Sequence, residues 1–246
     1  MLQRLLAYVG LLFIFGAILV VLIHVARKTP SRQRKADWLK YGVYMMIIIG
    51  ILLSAYLGKI VVSGLALFIA AGGARELYIN IRHTRLPAMA LSIVFFVVLA
   101  FFLAHLLIGE APLWYPSFAY LFLLVSVTDS FSQLWGRLLG RHKLCPVISP
   151  AKTVEGLVGG FASVVAAAFL FQFLAPAPGL AVPIVMAVTL AASATAGDLA
   201  FSLIKRRISI KDFSQLLPGH GGVLDRFDSL IVAAPVSYWL KILILK

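Results

Sequence analysis

Acidic and basic side chains crowd one short stretch near the C-terminus, with types and spacing suited to phosphate chemistry. Asp225 and Asp228 are three residues apart, so they share one face of a helix. Carboxylates on one face suit Mg²⁺, which keeps water and substrate phosphate as its other ligands. Just upstream lies a cationic run that suits phosphate oxygens, comprising Lys205, Arg206, Arg207 and Lys211. Together they predict a site for a metal-bound polyphosphate.

A glycine-rich loop, Pro218 to Gly222, lies between the bases and the acids. Its backbone amides could approach an oxyanion closely, because glycine adds no side chain. Each feature also has a plainer interpretation. The loop could be a simple reversal, His220 a structural hydrogen-bonding group, Asp225 a helix cap and Lys205–Arg207 a topological anchor. The occurrence of all four in one short segment favours a site.

Three aspartates lie at the ends of apolar runs: Asp129, Asp198 and Asp228. A carboxylate at membrane depth is costly and usually faces a partner, a metal or a water-filled cavity. One such acid alone would more simply reach interfacial water or pair with an arginine. Three on one side of the membrane favour a site.

A second polar segment runs from Asp129 to Gly156 and falls on the same predicted side. It carries bases and hydroxyl donors, namely Arg137, Arg141, Lys143, Lys152, Ser149 and Thr153. Gly136 and Gly140 form a G-x-x-x-G pair that suits either close helix packing or backbone approach to a ligand. The segment is not a Walker A loop, since no Gly-Lys-Ser/Thr follows.

The elements that must hold these residues are predicted to be transmembrane helices. Of the 246 residues 62% are hydrophobic and 13% are charged, with a mean hydropathy of +1.01. Soluble domains are nearer half apolar and a quarter charged. The net charge of +13 invites a nucleic-acid partner, but the bases lie in short loops between apolar runs, where topology explains them better. The single cysteine excludes an internal disulfide framework.

Eight apolar runs satisfy or approach the roughly 20 residues that a helix needs to span a bilayer. The first run reads as a retained span, because it is too long for a signal peptide. Gly58-Lys59 joins the second and third runs, which therefore form a helical hairpin or one interrupted segment. We predict an all-α polytopic protein, with four helices in residues 1–110 and a catalytic region in residues 111–246. The runs begin near Leu5, Tyr41, Ile60, Pro87, Leu113, Gly156, Ala181 and Phe227.

The basic residues predict which side of the membrane each loop faces. With eight spans, the loops after spans one, three, five and seven share a side, and they hold 18 of the 22 Lys and Arg residues. The other side has Arg4, Lys59, Lys241 and Lys246. The positive-inside rule therefore predicts that these four loops are cytoplasmic and that both termini are outside.

The two polar segments resemble the phosphatidate cytidylyltransferase (CDP-diacylglycerol synthase) family. The family's C-terminal signature stands here complete and in order, as Ser202, Lys205-Arg206, Lys211-Asp212 and Leu217 through Asp228. The upstream segment is also similar. Its matching residues are Asp129, Gly136, Gly140, His142-Lys143-Leu144, Pro146, Ile148-Ser149-Pro150, Lys152-Thr153 and Glu155-Gly156. The resemblance covers about the last half of the chain; Phe131-Ser132 and Ala151 depart from the pattern, which bears on lipid specificity.

The resemblance implies a reaction in which phosphatidic acid attacks the α-phosphorus of CTP, giving CDP-diacylglycerol and pyrophosphate. Asp198, Asp225 and Asp228 would hold Mg²⁺, with room for a second cation, and Lys205 would be catalytic with them. Further implied substrate-binding residues are Ser202, Arg206, Lys211, Gly219, His220, Gly221, Gly222, Arg226, Asp129, Lys143, Ser149, Lys152 and Thr153. The resemblance also implies a bacterial inner membrane, a cytoplasmic active site, membrane-lipid contacts and room for a homodimer.

Three other function classes compete with this interpretation. A transporter or channel also has intramembrane acids, but it has no need of a loop that combines Lys-Arg, glycines and Asp-x-x-Asp. A related enzyme could use CTP on another lipid phosphate or a lipid alcohol, as a CDP-archaeol-type synthase or a lipid kinase. A structural scaffold would tolerate Asp225→Asn and Asp228→Asn.

Overall fold

The structure is a computed structural model that describes residues 2–82, 88–108, 114–174, 176, 179–216 and 221–244. Within these ranges the chain forms eight α-helices and one β-hairpin. The N-terminal helices are α1 (Leu2–Ala26), α2 (Ser31–Leu57), α3 (Lys59–Ile81) and α4 (Ala88–Ile108). The later elements are α5 (Trp114–Leu139), β1 (Lys143–Cys145), β2 (Ser149–Thr153), α6 (Val154–Leu170), α7 (Ala181–Arg207) and α8 (Leu224–Ile244).

The chain is a helical membrane protein, as its composition predicts. Six of the described helices are long and apolar enough to cross a bilayer, namely α1, α2, α3, α5, α7 and α8. The apolar parts of α4 and α6 are shorter. Eight helices match the eight apolar runs, whereas the number of spans and the side of each terminus stay predictions. The predicted boundary between the two halves, near residue 110, lies outside the described residues.

The α2–α3 link is a helical hairpin rather than one interrupted helix. Gly58 has φ +122°, a backbone conformation that L side chains rarely adopt, and it ends α2 directly before α3 begins. The hydroxyl of Tyr44 on α2 donates to the carbonyl of Ser126 on α5. Glu76 on α3 accepts from the backbone of Leu224, at the start of α8. Both arms therefore return to the end of the bundle where α5 and α8 carry their aspartates.

Helices α5 to α8 pack around a core in which α5 is central. In the apolar window of α5, 72% of the residues are buried, and α5 packs against α6, α7 and α8. Glycines allow the close approach: a Cβ on Gly136 would lie 2.9 Å from Thr153 Oγ1, and one on Gly159 would lie 2.5 Å from Trp135 Cγ. The G-x-x-x-G pair therefore serves helix packing.

The hairpin β1–β2 is the one element type that the sequence did not predict. The strands pair antiparallel, with Lys143 opposite Thr153 and Cys145 opposite Ser149. Thr153 then begins α6 as its N-cap, its hydroxyl accepting from Gly156 N at 3.1 Å. The hairpin places polar residues of the second segment at one end of the helical bundle.

Candidate active site

A cavity of about 580 Å³ opens among α1, α2, α5, α7, α8 and the β-hairpin. Its polar walls come from both predicted segments: Asp129, Ser149, Lys152, Thr153, Asp198, Lys205, Asp225, Arg226 and Asp228. Its apolar walls come from α1, α2 and α5, with residues such as Val9, Phe13, Ile48, Phe122 and Val125. One cavity is therefore lined by both ionic groups and hydrocarbon side chains.

Asp198, on α7, is paired with a base from the hairpin. Lys152 Nζ lies 2.7 Å from Asp198 Oδ2, and the two side chains are about one-quarter exposed. Ser202 lies one turn further along α7, and its hydroxyl donates to Asp198 Oδ1 at 3.3 Å. Asp198 thus joins the two polar segments, and its partners are donors that a phosphate could also bind.

Asp225 is held by three donors at the start of α8. Lys205 Nζ lies 2.7 Å from its Oδ1, while its Oδ2 accepts from Phe213 N at 2.8 Å and Gly222 N at 2.9 Å. The Asp225 side chain is only 2% exposed. Asp225 therefore does more than cap α8, because it joins Phe213 to Gly222 and holds the Lys205 ammonium in the cavity.

Asp228 lies one turn beyond Asp225 and is near two other carboxylates. Asp228 is buried, and it repels Asp198 and Asp129 electrostatically. Ser229 connects two of these acids: its hydroxyl donates to Asp129 Oδ1 at 3.1 Å and its N–H to Asp228 Oδ1 at 2.8 Å. Three carboxylates along one cavity wall form an acidic surface that favours a cation.

The donor set suits a hard cation, but it is not assembled as a closed cage. Among the described residues, no three His, Cys, Asp or Glu side chains are grouped closely enough to hold a metal ion by themselves. Asp129, Asp198 and Asp228 offer oxygens to the cavity, and water and phosphate would complete a magnesium shell. Asp225 already uses both oxygens, so its role as a metal ligand stays a prediction that requires it to release Lys205.

Several predicted substrate-binding residues do not line the cavity. Two of them bind backbone carbonyl groups of the β-hairpin instead. Arg206 Nε donates to the carbonyl of Ile148 at 3.1 Å, and Lys143 Nζ to that of Pro150 at 2.7 Å. Both bases thereby hold the tip of the β-hairpin. Other predicted residues that are described but do not line the cavity are Ser202, Lys211, Gly221 and Gly222. Gly219 and His220 lie outside the described residues.

Glu155, in the first turn of α6, closes the base of the hairpin. Its carboxylate accepts from Arg141 N at 3.0 Å and from His142 N at 3.2 Å, and it lies 2.6 Å from His142 Nδ1. The hydrogen bond from the Arg141 backbone is the largest of the effects that lower the pKa of Glu155 to about 2. The carboxylate is therefore ionised at neutral pH and keeps the hairpin joined to α5.

Comparison with known proteins identifies a family for this chain. A sequence model described as the cytidylyltransferase family matches residues 2–243. The chain belongs to the cytidylyltransferase family. The match also covers α1 to α4, whose resemblance to the family had been hydrophobicity alone.

Curated relatives agree with this membership. A Brucella abortus protein named phosphatidate cytidylyltransferase is 40% identical over 200 residues, which are 80% of this chain and 72% of the relative. A Brucella suis protein of the same name matches equally well. A Staphylococcus aureus phosphatidate cytidylyltransferase is 44% identical over 120 residues, which are 48% of this chain and 45% of the relative.

Sequence reasoning missed the contributions of α1, α2 and α3 to the site. Asp37 on α2 lies 2.6 Å from Arg137 Nη2 and 3.1 Å from His24 Nε2, so it joins α1, α2 and α5. Glu76 on α3 is buried and binds the start of α8. The available signal was that each acid is isolated near or within a long apolar run, where an acid usually has a partner.

Proposed function

We propose that this member of the cytidylyltransferase family transfers the cytidylyl group of CTP to phosphatidic acid, forming CDP-diacylglycerol and releasing pyrophosphate. The observation that carries the proposal is a cavity that both ionic and apolar side chains line. The ionic side chains suit a nucleotide triphosphate and a lipid phosphate, and the apolar ones suit acyl chains. The names of the Brucella and Staphylococcus relatives support the same substrate.

The proposed transfer requires little covalent chemistry from the protein. A phosphate oxygen of phosphatidic acid forms a bond to the α-phosphorus of CTP, and the bond from that phosphorus to the bridging oxygen of pyrophosphate breaks. No general base is needed, because the attacking phosphate is already ionised near neutral pH. Positioning and electrostatic stabilisation therefore supply most of the rate, as in other phosphoryl transfers.

The cationic side chains in the cavity fit those two tasks. Lys205 and Lys152 are held at Asp225 and Asp198, so their ammonium groups have fixed positions on two sides of the cavity. Arg226 lines the same cavity. These cations would orient phosphate oxygens and offset the charge that develops on the departing pyrophosphate.

We include Mg²⁺ in the proposal because carboxylate oxygens in the cavity are suitable ligands for it. Asp198 and Asp228, with Asp129 beside them, are the described carboxylates that would hold Mg²⁺, and a second cation could share the same wall. The ion would supply neutralisation of charge on the nucleotide phosphates. Asp225 would join the ligand set only if Lys205 moved to a substrate phosphate.

The orientation in the membrane completes the proposal. CTP is cytoplasmic, and the loops that carry the site residues fall on the side that the distribution of Lys and Arg assigns to the cytoplasm. The curated relatives are bacterial, which supports a location in the bacterial inner membrane. A C-terminal reporter that is active only in the cytoplasm should be silent, because eight spans leave that terminus outside.

The decisive experiment uses purified protein, α-labelled CTP, Mg²⁺ and a panel of lipid phosphates and lipid alcohols. Label should appear in CDP-diacylglycerol with phosphatidic acid. Label remaining in free CDP, with phosphate transferred to a lipid alcohol, would establish a kinase instead. Transfer to another lipid phosphate in preference to phosphatidic acid would overturn the substrate but keep the reaction.

A further inference from the structure

Glu76 is a buried acid that no part of the proposed reaction uses. It lies on α3, is 5% exposed, and its carboxylate reaches across to the N-terminus of α8. Oε1 accepts from Val223 N and Oε2 from Leu224 N, each at 2.9 Å, and the hydroxyl of Ser214 donates to Oε1 at 2.6 Å. A carboxylate at this position satisfies N–H groups that α8 leaves free and complements the helix dipole.

Asn80 acts one turn further along α3. Its Nδ2 donates to the carbonyl of Phe213 at 2.8 Å, and also to the carbonyl of Glu76 within its own helix at 2.7 Å. Phe213 lies in the loop between α7 and α8, and Val223 and Leu224 lie where that loop meets α8. Helix α3 therefore contacts this loop at two places with two polar side chains one turn apart.

Asp225 holds the same loop from the opposite direction. Its Oδ2 accepts from Phe213 N and Gly222 N, while its Oδ1 binds Lys205. Glu76 thus holds the residue immediately before Asp225, and Asn80 holds the carbonyl of the residue whose N–H Asp225 receives. The fit is tight, since a Cβ on Gly222 would lie 2.4 Å from Glu76 Oε1.

We propose that Glu76 and Asn80 are positioning residues, which hold residues 213–214 and 223–224 in place so that Asp225 presents Lys205 to the substrate phosphates. The activity part of this inference rests on the proposed function; the structural part does not. The physical reason is that Val223, Leu224 and Ser214 all depend on one buried carboxylate. Without it the loop loses the acceptor that joins it to α3, and buried N–H groups lose their partner.

The test combines Glu76→Gln with a reporter on the loop. A glutamine side chain has one carbonyl oxygen, so it cannot accept from Val223 N and Leu224 N as the two carboxylate oxygens do. In a Cys145→Ala background, a spin label at Leu216→Cys, a position 60% exposed, reports the mobility of the loop in lipid bilayers. Tyr78→Phe is the matched control, because Tyr78 is on the same helix and is also 60% exposed.

We expect Glu76→Gln to increase the label's mobility and to lower kcat/KM by about 100-fold, the scale of a misaligned site. Tyr78→Phe should change neither, and both proteins should unfold cooperatively. Asn80→Ala removes one contact to the loop and should act in the same direction with a smaller effect. If Glu76→Gln does not fold, the label mobility and kcat/KM of Asn80→Ala test the positioning role instead.

The two measurements separate the inference from the proposed function. Unchanged label mobility in both Glu76→Gln and Asn80→Ala would overturn the positioning role, whatever the activity. Greater mobility with unchanged kcat/KM would also overturn it, since the loop would then be held for stability alone. A wild-type protein that transfers no cytidylyl group would overturn the proposed function, while the label would still show whether α3 fixes the loop.

Discussion

The helices before and after residue 110 solve different physical problems. In α1, α2 and α3, 22–33% of the apolar window is buried in the protein, against 39% in α7 and α8 and 72% in α5. Lipid chains are as apolar as leucine, so a lipid-facing helix surface needs only to be hydrophobic. Helices α5 to α8 must also pack closely and present ions to a cavity. Sequence signatures therefore concentrate in the second half, although the first half also contributes to the site.

Single polar contacts carry that contribution. Tyr44 donates to Ser126, Asp37 binds Arg137, and Glu76 binds the start of α8. Each joins an N-terminal helix to a C-terminal one where the site residues lie. The N-terminal helices thus line the cavity with apolar side chains and support the ionic residues through a few polar contacts, and the following substitutions test that division.

The largest loss of activity should follow Asp228→Asn. The substitution removes a carboxylate from the acidic wall and with it a proposed ligand of Mg²⁺, so Mg²⁺-dependent transfer should fall by about 1,000-fold, at the upper end for loss of one electrostatic group. Release of pyrophosphate from CTP in the presence of phosphatidic acid measures it. Full activity in a well-folded Asp228→Asn protein would show that the reaction does not depend on this α8 carboxylate.

Breaking the Lys205–Asp225 pair should affect both stability and activity. Lys205→Met leaves Asp225 buried without its cation, and loss of one partner in a buried pair costs about 3–5 kcal/mol. Adding Asp225→Asn should recover part of the stability but none of the activity. Thermal unfolding in detergent and initial rates of transfer measure the two effects. Recovery of activity in the double variant would show that the pair is structural only.

Loss of the Asp37 contacts, which join α1, α2 and α5, should reduce activity less than loss of Asp228. Asp37→Asn weakens the bonds to Arg137 and His24, and we expect a loss of about 1–3 kcal/mol, typical of a broken hydrogen bond to a charged group. Thermal unfolding measures it, with Lys35→Ala as an exposed control on the same helix. Because Asp37 is not among the groups proposed to bind Mg²⁺ or phosphate, kcat should change less than in Asp228→Asn. A loss of activity as large as that of Asp228→Asn would end the division between support and site.

The smallest effect is expected at the hairpin. Because hydrogen bonding lowers the pKa of Glu155 to about 2, its contribution is complete above the ordinary carboxyl range and is lost as pH falls towards 2. Glu155→Gln should therefore loosen the hairpin at neutral pH, where wild type keeps it closed. The rate of thiol modification of Cys145 on β1 reports this loosening. Equal rates of Cys145 modification in the two proteins between pH 5 and pH 7 would show that Glu155 does not hold the hairpin closed.

The sequence predicted what depends on composition and spacing. Eight apolar runs became eight helices, and Asp129, Asp198, Lys205, Asp225 and Asp228 came together in one cavity. It could not predict how the carboxylates divide their work, because Asp225 and Asp228 look equivalent on a helix face. One is engaged by Lys205 and two backbone N–H groups; the other faces two further acids.

The contacts of Glu76 and the β-hairpin escaped prediction for another physical reason. Glu76 binds residues about 150 positions later, and no local pattern records such a distance. The hairpin strands have three and five residues and lie in a segment rich in proline and basic side chains. Their strand character comes from pairing with each other and from the bases that hold the tip, not from alternating hydrophobicity.

The short helix α6 has a consequence for the membrane around the enzyme. Its 17 residues rise about 25 Å, which is less than the roughly 30 Å hydrocarbon core of a typical bilayer. If α6 spans the bilayer, as the sequence predicts, lipids beside it would thin or bend to meet it, at a cost that grows with the mismatch. Bilayers of shorter acyl chains should fit this helix better and support faster turnover. The membrane would then regulate the enzyme through its thickness, and the lipids that regulate it descend from the enzyme's own product.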